Sequence, residues 1–158
     1  MKSPMSVKSH KILQEEIVRL KSIERPKASK AIEIARAHGD LSENAEYDAA
    51  KEAQGMLEAK IRDIEHKLAT AQVIDISKLG GSRVIFGATV TLEDADSGDK
   101  RVLSIVGDNE ADVEKGLISY QSLLAKAVIG KEVGDLIKVK LPSGEKEYEI
   151  MDLEFKEL

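Results

Sequence analysis

The chain has 158 residues, no cysteine and 42% hydrophobic content, which fits one folded domain or two small ones. Wholesale disorder, disulfides, thiolate metal sites and cysteine nucleophiles are thereby excluded. Net charge is −5 but uneven, with 14 basic and 13 acidic side chains in residues 1–78 against 10 and 16 in residues 79–158. Neither half has the basic balance of a freestanding nucleic-acid binder, so any nucleic-acid contact must be local or assisted by a partner. Aromatic residues make up 3% and tryptophan is absent, so the core is expected to be aliphatic. No apolar run approaches the roughly 18 residues of a membrane span, and Met1 to His10 holds no apolar signal core. A soluble cytoplasmic protein is the expectation.

In chain order, Ser3-Pro4 and Ser9 mark an irregular lead-in, and helix is predicted from about Ser9. Leu13, Ile17 and Leu20 recur with the rhythm of a coiled-coil seam. Pro26 removes a helical hydrogen bond and crowds the preceding turn, so a kink is expected near Arg25. The apolar pattern resumes with Ala31, Ile32, Ile34 and Ala35. Gly39, the only glycine between Met1 and Gly55, stands where a helix stops with a left-handed residue. A second rhythm then runs through Ala45, Ala49, Ala53, Leu57, Ile61, Ile64 and Leu68. Two helices of roughly 40 Å with a short connection would pack as an antiparallel hairpin. From pattern alone such a hairpin is equally a dimerisation or spacer coiled coil.

The connection separates those readings. Asp40, Glu43, Glu46 and Asp48 cluster at the hairpin tip. Asp40 with Glu43 three residues on resembles a capping box, Ser42 is an alternative cap, and first-turn acids complement the helix dipole. The functional alternative uses the same spacing. Two carboxylates on one side of a turn would contribute to a Mg²⁺ site, but Mg²⁺ takes six oxygens, so a partner would have to complete its shell. Arg36 and Lys51, from opposite helices, are either ordinary solvated charges or a small phosphate-contacting patch. His38 is expected on the surface.

Ile74-Asp75-Ile76 leaves the helical rhythm and Gly80-Gly81 forms a joint. The boundary is set accordingly, with residues 1–76 as the hairpin, its acidic tip at 37–48, and residues 80–158 as a globular domain. There, Val84-Ile85-Phe86 and Ala88 to Leu92 flank Gly87 as a bulged strand. A second strand is expected from Arg101 to Val106, a short one at Leu117 to Tyr120, and one or two helical turns at Leu123 to Ile129. Asp135 to Leu141 and Glu147 to Phe155 would close a terminal hairpin. The fold class is therefore α+β, an α-helical hairpin followed by a small antiparallel sheet with one short helix. No Ser-His-Asp grouping, P-loop or dinucleotide fingerprint is present.

The stretch from Gly39 to Tyr47, Gly-Asp-Leu-Ser-Glu-Asn-Ala-Glu-Tyr, continuing through Ala49-Ala50-Lys51-Glu52, resembles the tip of bacterial Gre transcript-cleavage factors. Arg25-Pro26, Val84 to Val90, Ile105-Val106-Gly107-Asp108 and Ile129-Gly130-Lys131-Glu132 agree in collinear order. The sequence pI of about 5.3 favours the GreA type over the more basic GreB type. The resemblance implies a coiled-coil hairpin, an FKBP-like C-terminal domain, and a monomer that binds RNA polymerase. The globular domain would dock on the rim of the secondary channel, with Ser119 and Ser122 in the docking segment, while the hairpin enters the channel. The family's essential tip acids correspond to Asp40 and Glu43, which would hold Mg²⁺ only within the polymerase active site. Its basic patch corresponds to Arg36 and Lys51, expected to steady the 3′ end of the nascent RNA. One departure is Leu123, where the family usually has proline, and a looser docking loop is the expected consequence.

The resulting expectation is a transcription elongation factor without nuclease activity of its own, which stimulates polymerase to cleave backtracked RNA. Two other classes stay open on the sequence: a channel-binding regulator that shields polymerase without promoting cleavage, and a peptidyl-prolyl isomerase suggested only by fold analogy.

Overall fold

The computed structural model describes residues 2–39 and 44–156. The chain divides into a helical unit, His10–Ala71, and a β unit made of Ser3–Ser9 with Gln72–Leu158. The α+β class and the hairpin-plus-sheet plan are as expected, but the lead-in is not irregular. It forms strand β1 (Ser3–Ser6), paired in a two-stranded sheet with β2 (Ala71–Ile74). Two stretches predicted to be the two ends of the hairpin region thus contribute strands. No described helix is long and apolar enough to cross a membrane.

Helix α1 (Val7–Arg19) starts where the Ser6 hydroxyl accepts the Ser9 N–H at 3.1 Å. The disturbance expected at Pro26 takes a specific form. A π-helical turn, Leu20–Glu24, follows α1, and the Arg25 N–H donates to the Leu20 carbonyl. Helix α2 (Arg25–Ala37) then follows without a break, Glu24 before it still in right-handed helical conformation, so Pro26 stands inside a continuous helical path just after the widened turn. The widened turn absorbs one residue and keeps Leu13, Leu20, Ile32 and Ala35 buried.

Helix α3 (Ala45–Ala69) returns antiparallel to α2. Ile61 and Ile64 are buried as predicted, and Leu57 and Leu68 are half-buried. Near the tip the inward stripe departs from the predicted alanines. Ala45, Ala49 and Ala53 are exposed, and the half-buried positions are Tyr47, Ala50 and Gln54. Counting back from Ile61 in steps of four and three gives Leu57, Gln54, Ala50 and Tyr47, which is the face a 3.6-residue period turns inward. Charges latch the two arms. Arg25 holds Glu58 at 2.9 Å and Lys60 meets Glu16 at 3.1 Å.

In the β unit a five-stranded sheet has the order β5-β4-β3-β7-β6. Its strands are β3 (Ala88–Asp94), β4 (Lys100–Val106), β5 (Leu117–Ser119), β6 (Leu136–Leu141) and β7 (Gly144–Phe155). All neighbours are antiparallel except β4 and β5, which run parallel and so depart from the wholly antiparallel expectation. The chain returns from the end of β4 through a 3-10 turn, Val113–Lys115, and enters β5 in the same direction. Gly116 makes that re-entry, with φ 76° and with space only for hydrogen, since a Cβ would sit 2.7 Å from the Val102 carbonyl oxygen.

Val84-Ile85-Phe86 is not a strand. Gly87, at φ 89°, turns the chain, and Val84 bonds instead to the segment after helix α4 (Leu123–Val128). The Val84 N–H donates to Lys131 O at 2.8 Å and the Gly130 N–H to Val84 O at 2.7 Å. The bulge lies elsewhere, on β7, where Met151 is the extra residue between the pairs Leu92↔Ile150 and Thr91↔Asp152. Val90, Leu92, Leu103, Ile105, Val139 and Ile150 form the core with Leu124, Ala125 and Val128 of α4.

Candidate functional site

The tip is built from the end of α2 and the start of α3. Helix α2 stops as expected at His38–Gly39, with Gly39 at φ 111°. Helix α3 starts differently from the prediction. Its N-cap is Asn44, whose side-chain oxygen accepts the Tyr47 N–H at 3.0 Å. The same side chain reaches the other helix, its amide nitrogen donating to the Ala35 carbonyl at 2.6 Å. The cap proposed for Asp40 or Ser42 is therefore filled by Asn44. Asp40, Ser42 and Glu43 themselves lie outside the described residues.

Glu46 and Asp48 occupy the first turn of α3, where negative charge complements the helix dipole. Glu46 also lies 3.6 Å from His38 Nε2, and both are exposed. These two acids thus have a local structural role. Asp40 and Glu43, on the link before Asn44, are not needed as the cap of α3.

The predicted cations are both exposed. Arg36 is not matched with Lys51. Its guanidinium carbon lies 6.0 Å from the Tyr47 ring centroid, at the outer reach of a cation–π contact. Tyr47 and Lys51 are four residues apart on α3 and share one face. Arg36 is thus placed against Tyr47 of the facing helix, and Lys51 is an exposed cation one turn further along α3. Asn44 and Tyr47 were missed by the sequence reading. Asn directly before a helical run is a cap signal, but two earlier polar candidates competed with it. Tyr47 emerges only when the inward stripe is phased from Ile61.

Carboxylate oxygens are the donors Mg²⁺ prefers, and two carboxylates fill only part of its six-oxygen shell. The donor chemistry of Asp40 and Glu43 fits an ion shared with another molecule. Among the described residues no group of three or more His, Cys, Asp or Glu is placed to hold a metal.

The second predicted site lies in the β unit, at the end of β5. The Ser119 hydroxyl donates to the Asp108 carboxylate and accepts the Gln121 N–H at 3.1 Å. The Ser122 N–H donates to Ser119 O at 3.0 Å, and the Ser122 hydroxyl caps α4 by accepting the Ala125 N–H at 3.2 Å. Tyr120 packs edge-on against Phe86, with ring centroids 6.0 Å apart. Ser122 has φ −66° and ψ 156°, the conformation a residue before proline adopts. With Leu123 in place the segment is tied by an Asp108–Ser119–Ser122 chain of hydrogen bonds. Leu123 itself is 59% exposed.

Comparison with known proteins covers both units. Residues 3–73 match the family described as transcription elongation factor, N-terminal, and residues 79–155 the one described as transcription elongation factor, GreA/GreB, C-term. The transcription elongation factor GreA of Phenylobacterium zucineum (strain HLK1) is 54% identical over 154 residues, covering 98% of each chain. That of Anaeromyxobacter sp. (strain K) is 57% identical over 145 residues, 92% of this chain and 87% of the relative. Among solved structures, GreA factor homolog 1 (Gfh1) of Thermus thermophilus is 24% identical with a TM-score of 0.45, over 98% of this chain and 99% of that one. With both halves matched in order and more than half of all positions shared with curated relatives, the chain belongs to the GreA/GreB family of transcription elongation factors.

Proposed function

We infer that this chain binds RNA polymerase at its secondary channel and stimulates the polymerase to cleave backtracked nascent RNA, returning an RNA 3′ end to register. The β unit docks on the channel rim through the segment around Ser119 and Ser122, and the hairpin carries its tip inward. What supports the reading is the full-length match to named transcription elongation factors combined with an intact acid pair whose capping role is taken by Asn44.

The residues divide the work. Asp40 and Glu43 supply carboxylate oxygens to a Mg²⁺ site that the polymerase and RNA phosphates complete. A metal held there would supply the charge stabilisation of two-metal phosphodiester hydrolysis. Asp40 and Glu43 also accept hydrogen bonds from the attacking water and so orient it. Arg36 and Lys51 hold the RNA backbone near the tip, Arg36 through a guanidinium that Tyr47 keeps on one face. Two carboxylates leave most of a Mg²⁺ shell to the polymerase and RNA, so in this reading cleavage requires the polymerase.

The test uses stalled elongation complexes with a labelled transcript. Polymerase with this protein and Mg²⁺ should release short 3′ fragments faster than polymerase alone, and the protein alone should leave the RNA intact. Binding without faster cleavage would favour a shielding role, and cleavage by the protein alone would overturn the reading.

A further inference from the structure

Strand β5 ends at Ser119, opposite Val106 of β4. Beyond that point the chain leaves the sheet, and the ladder no longer dictates its path. The Tyr120 N–H still reaches back to β4, donating to Val106 O at 2.9 Å. Residues 120–122 must then turn and deliver α4, whose first helical residue is Leu123.

The turn closes on Ser119. Its hydroxyl oxygen accepts the Gln121 N–H at 3.1 Å, and its carbonyl accepts the Ser122 N–H at 3.0 Å. A serine that accepts the N–H two residues on makes a compact turn, held more weakly than the Asx equivalent. The hydroxyl has one proton, and its direction decides how the lone pairs face the Gln121 N–H. Asp108 takes that proton. A carboxylate offers acceptors and no competing donor, and a hydrogen bond to it is roughly twice as strong as one between neutral groups. Asp108 follows Val106 by two residues in the loop that leaves β4, so one side chain ties that loop to the end of β5.

The order passes onward. The Ser122 hydroxyl accepts the Ala125 N–H at 3.2 Å and the Ser122 carbonyl accepts the Lys126 N–H at 3.0 Å, so the turn sets where α4 begins. We propose that Asp108 is a positioning residue for polymerase docking, orienting the Ser119 hydroxyl so that residues 119–122 present one fixed shape. This rests on the docking role inferred above for the segment around Ser119 and Ser122. Asp108 is exposed, so its charge is also free to meet a cation on the polymerase directly. The two roles differ in what asparagine can replace. The asparagine amide oxygen still accepts from Ser119 but carries no charge.

The experiment compares wild type, Asp108→Ala, Asp108→Asn, Ser119→Ala and the Asp108→Ala/Ser119→Ala double variant as full chains on stalled elongation complexes. Cleavage is titrated with each protein, which separates the concentration for half-maximal rate from the maximal rate. Amide hydrogen exchange at Gln121 and Ser122 is read on the free proteins, with the thermal midpoint of the β-sheet signal as a control. Asp108→Ala and Ser119→Ala should each raise the half-maximal concentration about fivefold to tenfold, the loss of one hydrogen bond. The double variant should be no worse than the weaker single one, since both remove the same contact. Asp108→Asn should stay within about twofold of wild type because its acceptor remains. Maximal rates should match wild type throughout, and exchange at Gln121 and Ser122 should quicken in Asp108→Ala.

Unchanged exchange in Asp108→Ala would overturn the proposal by itself, since Asp108 would not shape the turn. Asp108→Asn as weak as Asp108→Ala would also overturn it, assigning the effect to the charge. Additive losses in the double variant, or losses matched by a fall in the fraction folded at the assay temperature, would do the same. Faster exchange with wild-type affinity is the distinguishable result: the turn would depend on Asp108, and the docking role of the segment would fall, taking the proposal with it.

Discussion

Arg25 grips Glu58 across the hairpin with two nitrogens, Nε at 3.0 and 3.1 Å from the two carboxylate oxygens and Nη2 at 2.9 Å from one of them. The contact sits where the π-helical turn ends and α2 begins. The hydrogen bond to Glu58 raises the Arg25 pKa above its usual value; desolvation opposes it, and the Glu58 and Glu65 charges add to it. A planar guanidinium forked onto a carboxylate fixes direction as well as distance, so this pair registers the two arms. Arg25→Lys keeps the charge and loses the fork. It should lower the thermal midpoint of the helical signal, and the deficit should shrink in 1 M salt, where exposed charges are screened. An unchanged midpoint at low salt would show that the apolar stripe sets the register unaided.

The β unit should be most sensitive at its aliphatic centre. Ile105 and Ile150 are fully buried on adjoining parts of the sheet core. Truncating either to alanine removes buried methylenes and leaves a cavity, at a cost of about 2–5 kcal/mol. Chemical denaturation followed by a β-sheet signal measures this directly.

Leu123 offers a test of the docking segment. Ser122 already holds the backbone conformation that proline demands of its predecessor, and Leu123 is the first helical residue of α4, where proline's missing N–H does not matter. Leu123→Pro should therefore be tolerated and should stabilise the β unit by about 0.4–1 kcal/mol through the unfolded chain. Ser122→Ala should do the reverse, losing the cap for about 1 kcal/mol. Polymerase affinity measured on both variants should rise for the first and fall for the second.

Asp94 sets a pH dependence. Its carboxylate accepts N–H bonds from Asp96 at 2.8 Å and Ser97 at 3.3 Å, and these, with Lys146 nearby, hold its pKa below the usual carboxylate value. The folded state thus binds this proton less readily than the unfolded chain. Its contribution is present in full above the unfolded carboxylate pKa of about 3.8 and is lost as pH falls through the lower folded value. Asp94→Asn should be less stable than wild type at neutral pH, and the two stability curves should converge in acid. Curves that stay parallel down to low pH would contradict the assignment.

Periodicity made the hairpin and the terminal β6–β7 pair legible, because each buries one face and repeats over many residues. Three features escaped it for separate reasons. The strand at Ser3–Ser6 is short, contains Pro4 and is paired with a segment more than sixty residues away, so no local pattern announces it. Val84-Ile85-Phe86 is apolar enough for a strand, but the turn at Gly87 sends its backbone to Lys131 and Gly130 instead. The parallel pairing of β5 follows from the loop that precedes it, which local alternation does not encode. At the tip, sequence supplied the acids and the cations, while the tertiary bond from Asn44 to Ala35 O became visible only in three dimensions.

The central claim is that Asp40 and Glu43 complete a metal site belonging to RNA polymerase. The most direct measurement is the rate of transcript cleavage in stalled complexes saturated with Asp40→Asn/Glu43→Gln, alongside a competition assay showing that the variant still occupies polymerase. The account predicts wild-type occupancy with cleavage reduced to the rate of polymerase alone. Occupancy with wild-type cleavage would contradict it.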